Sequence, residues 1–158
     1  MKKTLVMLTV FAGIFIGGCA SLKLEPADFS WQTEEILDID NSGMVSAVRY
    51  SVAFNVKPLL AKEFAADSLQ AKNTKEIRLL RDKAGFYYIV AKNFKNVYIF
   101  SQTEGGLSME KAVSVSQTEM ADPKFNFNTK TNAYELWNGK EKYLLTKAGI
   151  SPMQGGVK

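Results

Sequence analysis

The fold class follows from a stretch near the end of the chain, Ala133-Tyr134-Glu135-Leu136-Trp137-Asn138-Gly139-Lys140-Glu141-Lys142-Tyr143-Leu144-Leu145. Its centre, Asn138-Gly139, is a strong signal for a two-residue hairpin loop, because both loop positions of the common turn type need φ > 0. Counting outward from that loop predicts three cross-strand pairs: Trp137 with Lys140, Glu135 with Lys142, and Tyr134 with Tyr143. An opposite-charge pair and an aromatic pair in register both favour antiparallel strands.

Alternation of apolar and polar residues predicts two further strands. From Met44 to Val56 one parity is mostly apolar, which is typical of one long strand with a single buried face. The same alternation returns from Leu107 to Val115. Strands of an all-parallel sheet are continuously apolar, so these half-buried strands favour an antiparallel sheet.

The remaining predicted strands lie between turn-like segments. They cover Trp31 to Asp40, Lys75 to Asp82, Phe86 to Lys92 and Asn96 to Gln102, with turns at Lys83-Ala84-Gly85 and Asn93-Phe94-Lys95. Phe86 to Val90 and Val97 to Phe100 are apolar on both parities. We therefore expect these two segments to be central strands, buried on both faces.

One helix completes the prediction. Residues 58–70 begin with Pro58 at an acceptable first helical position and continue with good helix formers, so that Leu60, Phe64 and Leu69 would share a face. Glu119 to Thr131 lacks periodicity and is predicted to be a long loop. The expected fold is mainly β: one small antiparallel domain over residues 31–150, with about seven or eight strands, as a meander sandwich or partly open barrel. Residues 151–158 would form a flexible tail.

The first 21 residues have the layout of an export signal. The positive segment Met1-Lys2-Lys3 precedes an uncharged apolar run from Leu5 to Ile16, which is shorter than the roughly 20 residues that a membrane-spanning helix needs. Ile16-Gly17-Gly18-Cys19 then resembles the lipobox of bacterial lipoproteins, an apolar residue and two small ones before an invariant cysteine. This resemblance is confined to residues 1–21. It implies cleavage between Gly18 and Cys19 and attachment of diacylglycerol to the Cys19 thiol, whereas the alternative is a buried thiol.

The lipobox resemblance also implies a location. Residues 1–18 would be a cleaved signal peptide, and residues 19–30 would be the lipidated cysteine and a tether to the membrane. In enterobacterial lipoproteins an Asp directly after the cysteine marks retention at the inner membrane, and here that residue is Ala20. We therefore expect an outer-membrane anchor facing the periplasm in a Gram-negative organism, and otherwise the outer face of the plasma membrane.

Composition excludes several kinds of chemistry. The chain has no histidine, which rules out a Ser-His-Asp triad, a Cys-His pair and any histidine-containing metal site. Cys19 is its only cysteine, so no disulfide forms within the chain. Residues 19–158 carry 18 Lys and Arg against 16 Asp and Glu, which is a weak argument for a polyanionic partner. We expect no cofactor, no metal and no nucleic-acid partner.

The acidic residues before Met44 offer two chemical interpretations. Residues 38–43, Asp-Ile-Asp-Asn-Ser-Gly, begin like a calcium loop, but the twelfth position is Arg49 instead of the required Glu, so a turn is favoured. Asp38 and Asp40 would share a strand face about 7 Å apart, within the range of a glycoside hydrolase, but beside a solvated turn. Glu34 and Glu35 are adjacent and would point to opposite faces.

An aromatic-rich region with basic neighbours is the candidate binding surface. One interpretation is a two-sided core with a solvated basic rim. The other is a partly exposed face that binds an envelope protein, a peptide or a glycan, formed by Tyr87, Phe94, Tyr98, Arg78, Arg81, Lys92 and Lys95. The expected function is thus a non-enzymatic binding or assembly accessory of the envelope. The alternatives are a carboxylate-dependent hydrolase of envelope glycans, and a hydrophobic-ligand carrier, which needs a cavity of about 300 Å³ or more.

Overall fold

The computed structural model describes residues 32–65, 67–104 and 106–153. Its strands are β1 (Glu35–Asp38), β2 (Met44–Ala47), β3 (Val52–Asn55), β4 (Glu76–Arg81), β5 (Tyr87–Val90), β6 (Asn96–Thr103), β7 (Gly106–Ser114), β8 (Pro123–Asn128), β9 (Ala133–Asn138), β10 (Glu141–Thr146) and β11 (Gly149–Pro152). Its helices are a 3-10 helix (Val48–Tyr50), α1 (Lys57–Phe64) and α2 (Ser68–Asn73).

The strands form three antiparallel sheets. The first has the order β1-β4-β5-β6-β7, the second the order β11-β10-β9-β8, and the third pairs β2 with β3. The prediction of a mainly β, antiparallel fold is confirmed. Within the described ranges none of the sheets closes on itself, and the strands number eleven instead of seven or eight. The additional strands are β3, β8 and β11.

One hydrophobic core joins the three sheets. It contains Val45 and Val52 from the small sheet, Phe125, Leu136 and Leu145 from the four-stranded sheet, and a larger group from the five-stranded sheet. All four residues of β5 are buried, and β5 lies at the centre of its sheet. Strand β6 is also an interior strand, and Val97, Tyr98 and Ile99 are buried. The prediction of two central strands is therefore confirmed, although Phe86 and Phe100 at the ends of the two segments are only half-buried.

The prediction of one strand from Met44 to Val56 was wrong, because the chain reverses in its middle. The Ser51 N–H donates to the Val48 carbonyl at 3.1 Å, and Ser51 adopts a left-handed φ of 52°. Val45 then lies opposite Phe54 in the hairpin of β2 and β3. The buried residues have odd numbers before the turn (Val45, Ala47) and even numbers after it (Val52, Val56). The buried positions therefore change from odd to even numbers across the turn, whereas a regular strand keeps one parity on its buried face.

The predicted helix over residues 58–70 is divided into α1 and α2. Ala65 ends α1 with a φ of 45°, and the Asp67 carboxylate caps the start of α2 by accepting hydrogen bonds from the Leu69 and Gln70 N–H groups. An Asp side chain at this position competes with helix continuation by satisfying free backbone donors. Leu69 is consequently 66% exposed and does not share the buried face of Leu60.

The predicted loop from Glu119 to Thr131 contains β8, so that prediction was also wrong. Pro123 is the first residue of β8, a position at which proline is tolerated in a strand. Phe125 lies opposite Leu136 on β9, and both side chains are buried. Within β8 the apolar residues are spaced two apart, with Pro123 and Phe125 buried and Phe127 half-buried, whereas the alternate residues are Lys124, Asn126 and Asn128.

The predicted hairpin between β9 and β10 is present, but its register differs by two residues. The loop is Gly139-Lys140, and Trp137 pairs with Lys142 instead of Lys140. Gly139 has a φ of 61° and Lys140 does not have a positive φ, which matches a turn with glycine at its first position. The shift by two keeps every side chain on the face that was predicted for it.

Strand β11 pairs with β10 and extends two residues beyond the expected end of the domain at residue 150. The lipobox, the cleavage site before Cys19, the tether over 19–30 and residues 154–158 lie outside the described residues. In the part of the chain that the structure describes, no helix combines the length and apolar character needed to cross a membrane.

Candidate functional site

The three aromatic residues of the predicted binding surface are buried. Tyr87 and Tyr98 are 1% exposed and Phe94 is 0% exposed, so the hypothesis of an exposed aromatic face was wrong and the core interpretation holds. The Phe94 ring packs edge-to-face against Tyr98 at 6.0 Å between centroids. Because β5 and β6 are central strands, covering layers bury these rings, and such contacts add to the stability of a core.

The four basic residues of that predicted surface have different environments. The Arg78 side chain is 13% exposed and its guanidinium lies 2.7 Å from a Glu34 carboxylate oxygen. The Arg81 guanidinium lies 5.4 Å from the centroid of the Tyr87 ring. Lys92 and Lys95 are exposed. Arg78 and Arg81 therefore contact groups of the fold, and only the two lysines present open cationic surface.

The four acidic residues near the start of the described chain have different environments. Glu34 Oε1 accepts the Phe125 N–H at 2.8 Å, in addition to the Arg78 ion pair. Glu35 is half-buried, and its Oε2 has no hydrogen-bond partner among the described residues. Asp38 and Asp40 are exposed. The four residues do not converge on a shared cleft.

Asp40 organises the turn between β1 and β2. Its Oδ1 accepts hydrogen bonds from the Ser42 hydroxyl at 2.7 Å, the Ser42 N–H at 2.8 Å and the Met44 N–H at 2.9 Å. These bonds, led by the Ser42 hydroxyl, lower the pKa of Asp40. The turn is confirmed, but the strands on its two sides pair with other partners, β1 with β4 and β2 with β3. No three His, Cys, Asp or Glu side chains of the described ranges are grouped to hold a metal ion.

A buried carboxylate on the four-stranded sheet was missed by the sequence analysis. Glu135 is 2% exposed, and its oxygens accept hydrogen bonds from Asn126 Nδ2 at 3.0 Å, Asn128 Nδ2 at 2.8 Å and Trp137 Nε1 at 2.7 Å. Burial opposes ionisation, but the three donors outweigh it and lower the pKa of Glu135. One sequence signal could have indicated this cluster. Asn126 and Asn128 are two residues apart, as are Glu135 and Trp137, so each pair lies on one face of its strand.

A cleft of about 560 Å³ lies between the 39–43 turn and the two α-helices. We call it the helix cleft. Its apolar lining includes Ile39, Leu60, Phe64 and Ala71. Three lysines, Lys57, Lys72 and Lys75, and two aspartates, Asp40 and Asp67, also line it. The cleft therefore combines an apolar surface with a mostly cationic set of charged groups.

Helix α1 supplies one wall of the helix cleft. Leu60 and Phe64 are four residues apart and lie on one helical face. The helix is fixed to the five-stranded sheet by Glu63, whose carboxylate accepts the Tyr98 hydroxyl at 2.6 Å and Asn96 Nδ2 at 2.8 Å. It also accepts the Lys95 N–H. Burial, followed by the bond to Glu63, raises the pKa of Tyr98. The wall of the cleft is thereby tied to a central strand.

The opposite side of α1 borders a second groove of about 300 Å³, which is lined by residues including Leu59, Phe100, Leu107 and Met109. Of the described residues that line it, only Lys62 is charged. The helix cleft is larger and carries more charge, so it is the stronger candidate for a binding site.

Comparisons of this chain with protein-family models, with curated proteins and with solved structures found no match.

Proposed function

We propose that this chain is a bacterial envelope lipoprotein whose β domain binds a small ligand with an apolar part in the helix cleft, without catalysing a reaction. The observation that carries the binding function is the cleft itself. Small-molecule sites are concave, largely apolar and usually about 300–1,000 Å³ in volume. At about 560 Å³, the helix cleft lies within that range.

The envelope location rests on the sequence. The lipobox-like Ile16-Gly17-Gly18-Cys19 follows a charged start and a short apolar run, which together are typical of a lipoprotein signal. An acyl chain contributes about 0.8 kcal/mol for each buried methylene, so two or more chains on Cys19 would hold the domain stably at a membrane.

Binding without catalysis is supported by how the described carboxylates are used. Glu34 holds Arg78 and the Phe125 N–H, and Glu135 is held by three side-chain donors. Asp40, which lines the helix cleft, has a lowered pKa. A general acid needs a raised pKa near the working pH, so Asp40 is unsuited to that role.

Intact-mass analysis and membrane fractionation test the anchor. The protein expressed in a bacterium should lack residues 1–18, should gain the mass of acyl chains and should sediment with membranes. Cys19→Ser should lose both the added mass and the membrane association, whereas Ser21→Ala should keep them. A wild-type protein that retains its N-terminus or stays unmodified would contradict the anchor.

Titration with N-phenyl-1-naphthylamine, a neutral apolar probe, tests the cleft. Its fluorescence should rise on binding to the wild-type domain. Ala61→Trp places a large ring at an exposed position of the cleft lining and should weaken binding at least about tenfold. Leu69→Trp, at an exposed helical position outside the lining, is the matched control and should bind like wild type. Equal binding by both variants would show that the probe occupies another site.

A further inference from the structure

We propose that the ligand of the helix cleft is a single-chain anionic amphiphile, an alkyl chain that ends in a phosphate or carboxylate group. This inference rests on the proposed binding function and adds the chemical class of the ligand. The apolar lining would contact the alkyl chain, and the lysines of the cleft would contact the anionic group.

The apolar part of the cleft lies where α1 and α2 meet the 39–43 turn. Leu60 is buried, and Phe64 is half-buried with its ring 5.5 Å from that of Phe94 in the core. Ile39 and Ala71 are also half-buried and complete this surface. An alkyl chain in contact with these side chains would remove apolar area from water on both partners, which favours binding.

The cationic part of the cleft consists of lysine side chains from separate elements. Lys57 is the first residue of α1, Lys72 lies in the last turn of α2, and Lys75 follows α2. Lys75 Nζ donates to the Lys72 carbonyl at 2.9 Å. Lys57 and Lys72 form no ion pair with any described residue. Their ammonium groups therefore remain available to an anion, and lysine binds phosphate well as a point charge.

The two aspartates of the cleft oppose an anion less than their formal charge suggests. Asp40 Oδ1 accepts three hydrogen bonds from Ser42 and Met44. Asp67 Oδ1 accepts the Leu69 N–H at 3.1 Å and the Gln70 N–H at 3.0 Å. These donors direct positive dipole ends at the carboxylates and offset their field locally. No such partner offsets the charge of Lys57 or Lys72 among the described residues.

The stem of the Lys57 side chain is packed against the backbone before any ligand arrives. It lies across the backbone of Gly43, which has no Cβ to obstruct it. The backbone N–H of Lys57 donates to Asn55 Oδ1 at 2.9 Å, which fixes the main chain from which this side chain extends. A side chain restricted in this way loses less conformational entropy on binding than a free lysine would.

Competition among ligands of equal chain length tests the proposal. Decyl phosphate, decanoate, decanol and decyltrimethylammonium would each be titrated against N-phenyl-1-naphthylamine bound to the full-length protein. The three ionic compounds are kept below their micelle-forming concentrations, and decanol is kept below its solubility limit. We expect the two anions to bind at least about tenfold more tightly than decanol, and decyltrimethylammonium to bind most weakly. The two anionic arms also distinguish a phosphate from a carboxylate ligand.

The double variant Lys57→Gln/Lys72→Gln should lose the preference for anions and bind decanol like wild type. Lys92→Gln/Lys95→Gln makes the same change of net charge outside the cleft and should keep the preference. Equal affinity for decanol and both anions, or equal loss in both double variants, would overturn the charge assignment while the probe still reports a working cleft. Failure of the wild-type protein to bind the probe would instead reject the binding function itself.

Discussion

Lys57 crosses Gly43 so closely that a Cβ at position 43 would lie 2.6 Å from Lys57 Cγ and 2.8 Å from Lys57 Cε. Gly43 has a φ of 84°, its N–H donates to the Asp40 carbonyl at 2.9 Å, and its carbonyl accepts the Val56 N–H at 2.8 Å. This one glycine therefore links the β1–β2 turn to the start of α1. It also sets the position of a lysine that lines the helix cleft.

Gly43→Ala should destabilise the protein by about 2 kcal/mol or more. A non-glycine residue in the left-handed region costs roughly 1–2 kcal/mol, and the displaced Lys57 stem adds to that cost. Urea denaturation measures the loss. The matched control is Gly139→Ala, because Gly139 also has a positive φ but has nothing within 4 Å of an added Cβ. Equal losses in the two variants would mean that the Lys57 contact has no energetic consequence.

Glu135→Gln should cost about 1–3 kcal/mol at pH 7, because an amide can present only one acceptor oxygen to the three donors. The effect should depend on pH. The pKa of Glu135 is lowered from its usual 4.5 in the fold, so its contribution is complete above that value. It is lost as the pH falls through the folded pKa.

The stability difference between wild type and Glu135→Gln should therefore shrink below about pH 4.5. Denaturation of both proteins at several pH values measures it, and the comparison cancels the titration of other carboxylates such as Asp40. A difference that stays constant or grows in acid would contradict the assigned hydrogen bonds.

Glu63→Ala should loosen α1 selectively. The change leaves the buried Tyr98 hydroxyl and the Asn96 amide without their acceptor, which costs roughly 1–3 kcal/mol. Relative to wild type, amide hydrogen exchange should accelerate in α1 more than it does in β9 and β10. Glu110→Ala, on the exposed strand β7, should change stability by less than about 0.5 kcal/mol. Uniform acceleration across the whole chain would argue against a local anchor.

Arg78 and Glu34 should be energetically coupled. Their side chains are 13% and 16% exposed, so neither is fully solvated and each would lose a partner when the other is replaced. A double-mutant cycle with Arg78→Gln and Glu34→Gln should give a coupling energy of about 1–3 kcal/mol. Lys92→Gln and Lys95→Gln, at exposed positions, should each stay within about 0.5 kcal/mol. Additive effects of Arg78→Gln and Glu34→Gln would exclude a stabilising pair.

Local sequence patterns predicted where most strands lie, but not the register in which neighbouring strands pair. The residues of β5 are apolar on both parities, and the structure buries all four. The loop near Gly139 was also evident, yet two placements of a two-residue loop keep the same side chains on the same face. In the observed register Trp137 lies opposite Lys142. The Lys142 Nζ is 4.1 Å from the centroid of the Trp137 ring. Local sequence does not distinguish the two registers.

The sequence was a poorer guide to which aromatic and charged side chains are buried and to where the surface forms a cleft. Tyr87 and Tyr98 look equally suited to a core and to a binding face, and only their central strands decide the question. The spacing of Asn126, Asn128 and Trp137 hints at donors near Glu135, but only the pairing of β8 with β9 brings the two asparagines to its carboxylate. The helix cleft joins residues 39–43 to residues 57–75, and its lysines are unexceptional in sequence.

The sequence by itself determined the antiparallel β class and the positions of most strands, because these follow from the alternation of apolar and polar residues. It also determined the Asp40 turn, which depends on hydrogen bonds within four residues. The proposed lipid anchor also rests on sequence alone, on the resemblance of Ile16-Gly17-Gly18-Cys19 to a lipobox. Only the tertiary structure decided the burial of Tyr87, Phe94 and Tyr98, and the helix cleft. These depend on which distant segments pack together, and the hydrophobic effect that drives such packing is non-directional.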